Sequence, residues 1–122
     1  MSLCVDVFVR LSDGSSTVLD GVPGVSDSAG SEMTRHTLRW SPGVAELGLD
    51  LRLLPTLARA DPWVGPEELD GLAVECAAIR GDIAAVAPTT GYGEEYVADR
   101  IGNIVAAIER ARGVEGGGVV IW

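Results

Sequence analysis

Apolar and polar residues alternate from the start of the chain. Leu3, Val5, Val7, Val9 and Leu11 share one face, and Cys4, Asp6, Phe8 and Arg10 the other. A period of two with β-branched residues predicts a strand over 3–11 that buries one face. Ser12-Asp13-Gly14-Ser15 supplies turn chemistry, because Asp and Gly tolerate left-handed backbone, and Ser16 to Leu19 is the hairpin partner. Gly21 to Ser31, rich in Gly and Ser, reads as a loop. Thr34 to Trp40 alternates again and predicts a third strand, with His36 and Trp40 on the same face. Ser41-Pro42 opens a short helix, Ser as N-cap and Pro in the first turn, which Gly48 ends. Leu49 to Leu57 fits both periods and reads as helical, although Pro55 interrupts it.

The second half has the clearer pattern. Pro66 opens a helix whose apolar positions, Leu69, Leu72, Cys76, Ile79, Ile83 and Val86, are spaced 3, 4, 3, 4, 3, and Pro88 closes it. Thr89 to Gly93 is a connector. A further helix carries Val97, Ile101, Ile104, Ile108 and Ala111, with Glu94 and Glu95 in its first turn, Arg110 and Arg112 in its last, and Gly113 as its cap. Two apolar seams joined by a short connector predict an antiparallel helical hairpin. Gly116-Gly117-Gly118 then leads into Val119-Val120-Ile121-Trp122, an apolar run that needs cover and finds it beside the first strand. The sum is one α+β domain over 1–122: a small, mostly antiparallel sheet of N-terminal strands and the C-terminal strand, packed against helices.

A length of 122 residues fits a single domain with a true core. No apolar run reaches the roughly 18 residues of a membrane span, and no basic segment with an apolar stretch opens the chain, which predicts a cytoplasmic protein. All nine basic residues are arginine, the codon usage expected of a GC-rich bacterial genome. Cys4 and Cys76 are predicted to stay reduced. The formal charge of −9 argues against nucleic acid or an anionic membrane as partner and leaves a basic protein, or no partner at all.

Candidate chemistry is sparse. His36 is the only histidine and stands near no nucleophile motif, so no catalytic residue is assigned. Asp13-Gly14, Asp20-Gly21 and Asp70-Gly71 are isolated pairs without the spacing of a calcium loop, and no CxxC is present; neither metal nor cofactor is expected. The charge map says more. Residues 61–99 hold nine acids against Arg80 alone, whereas the other 83 residues hold nine acids against eight arginines. Glu68, Glu75 and Asp82 recur every seven residues along one helix edge. Such a row is either a solvated helix face that keeps the protein in solution or an acidic docking surface for a basic partner; on the second reading these three, with Trp63 in the turn Asp61–Gly65, are the candidate partner-binding residues.

The part from Asp61 to Trp122 resembles uncharacterised small bacterial proteins that end in Gly-Gly-Gly-Val-Val-Ile-Trp after a Gly-Tyr-containing helix. That likeness covers about half of the chain and implies no activity. In size, acidity and lack of catalytic motifs the chain is similar in type to immunity proteins that neutralise partner toxins, a likeness that carries over no residues. The expectation is a non-enzymatic interaction domain of inhibitor, immunity or adaptor type with an acidic helical face. The alternative is a small-molecule-binding or enzymatic domain with a pocket between sheet and helices, using His36, Tyr92 or Tyr96.

Overall fold

A computed structural model describes residues 2–31, 48–49, 51–58 and 60–122. Its strands are β1 (Ser2–Arg10), β2 (Ser16–Val18), β3 (Ser28–Ser31), β4 (Trp63–Val64) and β5 (Gly117–Ile121). Its α-helices are α1 (Leu69–Gly81), α2 (Ile83–Thr90) and α3 (Glu94–Arg112), with 3₁₀ turns at Leu54–Ala58 and Pro66–Glu68. All strand pairs are antiparallel. β5 lies between β1 and β4, and β2 and β3 share the other edge of β1, one at each end. The fold is thus the small antiparallel α+β arrangement that the alternation and the apolar seams predict.

β1 and β5 form the centre. Val5 pairs with Ile121, Val7 with Val119 and Phe8 with Gly118. Beyond the labelled strand, Cys4 N donates to Trp122 O (2.8 Å) and Trp122 N to Cys4 O (2.9 Å). Every residue of β5 is buried, as an apolar tail in mid-sheet must be. Leu3, Val5 and Val7 face the helices with Val119, Ile121 and Val64, against Leu72, Ile79, Ile101, Ile104 and Ile108. Phe8, on the opposite face, is buried too. Leu11 is exposed and lies beyond β1, because the hairpin turn has begun there: Gly14 N donates to Leu11 O and Asp13 accepts from Ser15 N and Oγ.

Five local readings change. Residues 28–31, read as loop, form β3; small residues fit along the edge of β1 that β2 leaves open, and Asn103 Nδ2 of α3 donates to Ser28 O (2.7 Å). The turn around Trp63 contains a two-residue strand. The segment 49–57 is helical only as a 3₁₀ turn. The long helix from Pro66 to Pro88 is broken: Asp82, with φ −130° and ψ 34°, separates α1 from α2. Pro88 does not stop α2. The hydroxyls of Thr89 and Thr90 donate to Val86 O and Ala87 O, and Gly91 at φ +80° ends the helix, a conformation a side chain resists. The strand expected at 34–40 and the helix expected from 41, with His36 and Trp40, lie outside the described residues.

Helix α3 packs on α1 and α2 and lies across β1, β3 and β5. The hairpin of α1 and α3 is closed at one end by Arg112, whose Nη2 donates to Asp70 (2.8 Å). No described helix is long and apolar enough to cross a membrane.

Candidate interaction surfaces

The seven-residue row of acids does not form one surface. Glu75 is only 5% exposed. Its carboxylate accepts from Leu53 N through both oxygens (3.1 and 3.0 Å) and from Leu54 N through Oε1 (3.1 Å). It therefore caps the 3₁₀ turn Leu54–Ala58 from another element, satisfying N–H groups that the turn itself cannot. The segment 51–58 packs over this stripe of α1: Leu54 is fully buried, and one helical turn before Glu75, Leu53 Cδ1 would lie 3.8 Å from a Cβ at Gly71. Spacing of seven places Glu68, Glu75 and Asp82 on one stripe, but the stripe faces the chain for part of its length. Glu75 is thereby removed from the partner-facing set. Glu68 sits half-buried as the residue preceding α1, and Asp82 is exposed at the break.

Ion pairing divides the remaining acids. Toward the end where α3 finishes, Glu67 accepts from Arg10 Nη1 (3.1 and 3.0 Å), and Arg112 binds both Asp70 and Glu109 at 2.8 Å. The Glu67 carboxyl is held below the usual range by hydrogen bonding, first from its own backbone N–H and then from Arg10. Where α1 gives way to α2 and α3 begins, Asp82, Glu94, Glu95 and Asp99 are exposed, and their carboxylates take no hydrogen bond or ion pair from a described residue. Glu94 and Glu95 are stabilised there by the helix N-terminus instead.

Trp63 belongs to a different surface. It projects from β4 on the face of the sheet away from the helices, where its ring meets Phe8 (centroids 5.2 Å, 64°) and Trp122 (5.7 Å, 75°). Phe8 lies directly over Gly118, where a Cβ would stand 2.6 Å from Phe8 Cζ, so only glycine lets the ring rest on the sheet. Trp122 Nε1 donates to Asp6 Oδ2 (2.9 Å), which fixes its indole. Trp63 and Trp122 remain 44% and 42% exposed. The alternation of β1 placed Asp6 and Phe8 on one face; nothing in the sequence signalled that Trp122 would join them, since that follows from the register of β5.

No family model, curated protein or solved structure matches the chain.

Tyr92 and Tyr96 stack on each other (4.4 Å, 13°), and the Arg100 guanidinium lies 4.4 Å over Tyr96, so both rings are engaged in a surface ladder. Cys4, on the outer face of the sheet, and Cys76, in the helical core, are free thiols on opposite sides of the sheet. Burial pushes the Cys76 thiol up to about 12, with the adjacent Glu75 charge adding to the effect. Among the described residues no three His, Cys, Asp or Glu side chains are grouped to hold a metal ion.

Proposed function

We propose that the chain is a non-enzymatic protein-interaction domain, of inhibitor, immunity or adaptor type, that meets a basic partner. The observation that carries this reading is the segregation of charge: carboxylates near the end of α3 are neutralised by Arg10 and Arg112, while Asp82, Glu94, Glu95 and Asp99 are left open. Unpaired like charges on one surface raise the local potential and accelerate encounter with a cation-rich partner, from about 10⁵–10⁶ M⁻¹s⁻¹ toward 10⁸ or more at low salt. Glu68 stands at the other end of α1, beside Glu67, and Trp63 and Trp122 offer a separate aromatic surface of the kind that anchors interfaces.

The test is an association measurement with a partner captured from the native source, at two ionic strengths, using the wild type, Glu94→Gln/Glu95→Gln/Asp99→Asn and Trp63→Ala. The charge-neutral triple variant is expected to associate at least tenfold more slowly at low salt and to lose the salt dependence. An on-rate indifferent to both salt and the triple substitution would refute the acidic docking surface; a dissociation rate raised by Trp63→Ala alone would move the contact to the sheet face.

A further inference from the structure

The edge of β1 opposite β5 is interrupted. Leu19 N still donates to Val7 O (2.8 Å) and Val5 N to Asp27 O (2.7 Å), but between these bonds the chain swings away from the sheet. The gap opens a cleft of about 180 Å³ beside the last turn of α3, walled by Val7, Leu19, Val22 and Val114 and reached by Arg110. Leu19, Val22 and Val114 are 37%, 46% and 37% exposed, so apolar side chains that could be covered instead converge on one opening.

Arg110 gives the cleft its chemistry. The chain has 18 acids for nine arginines, and Arg112, two positions on, holds two carboxylates. Arg110 is half-buried, yet its guanidinium makes no hydrogen bond or ion pair with any described residue. Two aspartates also border the cleft. Asp6 has its carboxylate engaged by Trp122 Nε1, and Asp20 makes no ion pair with Arg110. A planar guanidinium without a partner, beside an apolar wall, matches a carboxylate carried on an apolar body, because the fork of N–H donors takes both oxygens at once. The volume sets the size of that body: an apolar protein cavity of about 150 Å³ accommodates benzene.

We propose that this cleft binds a small free organic acid, an aryl or branched-chain monocarboxylate of about benzene size, with its carboxylate on Arg110 and its apolar body against Val7, Leu19, Val22 and Val114. The site is independent of the acidic surface and of any protein partner.

The full chain, labelled with ¹⁵N, is titrated with sodium benzoate, with benzamide as the neutral counterpart and with sodium acetate as the charge without the body. Benzoate is expected to shift the amides of Val7, Leu19, Val22 and Val114 and the Arg110 Nε–H saturably, and to bind at least tenfold more tightly than benzamide or acetate. Arg110→Gln is expected to lose that preference. Val114→Glu offers a second variant: it places a carboxylate of the chain itself in the wall of the cleft that Arg110 also lines and is expected to abolish benzoate binding in a folded protein. Equal binding of benzoate and benzamide, shifts that survive both substitutions, or no saturable shift with benzoate would each overturn the assignment.

Discussion

Glu75→Ala is the substitution that separates a buried cap from a surface acid. The alanine variant leaves Leu53 N and Leu54 N without their acceptor. A hydrogen bond to a charged group contributes about 1.5–3 kcal/mol, and an unsatisfied buried donor costs a similar amount. Leu54 N is buried and cannot recover its bond from solvent, whereas Leu53 N is only part-buried and recovers some of it. The expected loss is therefore about 3–5 kcal/mol. Unfolding entropy of about 2.1 cal/mol/K per residue converts this, for 122 residues, into a melting temperature lower by roughly 12–20 °C. Glu75→Gln retains one carbonyl oxygen in place and is expected to cost only about 1–2 kcal/mol. Urea titration with a fixed m-value, read alongside thermal melts, distinguishes lost stability from a changed unfolded state. An alanine variant that melts within about 2 °C of the wild type would refute the capping role; an alanine and a glutamine variant of equal stability would show that charge, not the acceptor, holds the loop.

Other outcomes follow from the same packing. Ile79→Ala and Ile104→Ala, both in the seam between α1 and α3, should each cost about 2–5 kcal/mol in urea denaturation. Asp82→Ala, at an exposed break, should change stability by less than about 0.5 kcal/mol in the same assay. Gly118→Ala should destabilise by about 1–3 kcal/mol despite a gain in strand propensity, because the new methyl meets the Val64 carbonyl oxygen as well as the Phe8 ring; adding Phe8→Leu should leave most of the loss in place. Cys76 should resist thiol reagents in the native state. Its pKa is raised from 9.0 to about 12, so the folded state holds the proton more tightly; its contribution to stability is intact below about pH 9 and is lost as pH rises toward 12, which a Cys76→Ala control should flatten.

Legibility in the sequence tracked the length of each pattern. α3, with nineteen residues and one clean apolar stripe, was readable to its ends, and the terminal Val-Val-Ile run carried its own demand for a place in mid-sheet. β3 was not readable, because Ser-Ala-Gly-Ser has no β-branched side chain and pairs only through the edge that β1 offers. The break at Asp82 left no mark in the apolar spacing, since Ile83 and Val86 continue the count across it. Glu75 is the instructive case. Periodicity places a carboxylate on a stripe, but which stripe is covered depends on the 51–58 segment, whose own leucines fit two periods. The cleft at Arg110 had no signal at all, being a gap between two hydrogen bonds of one strand edge.

The central pairing of the sheet also sets a schedule. Asp6 and Trp122, joined by a side-chain hydrogen bond, stand 116 positions apart, and β5 fills the place between β1 and β4. At a synthesis rate of about 5–20 residues per second, β1 leaves the ribosome roughly 6–23 s before its central neighbour exists. During that interval Leu3, Val5, Val7 and Phe8 have no β5 to pair with, and the α1–α3 hairpin has only part of a sheet to cover. Local helix formation takes microseconds, so the hairpin is ready long before the strand that completes the core beneath it. The nascent chain must therefore hold β1 in waiting, and the central pairing of the sheet forms only once residues 117–121 have been made.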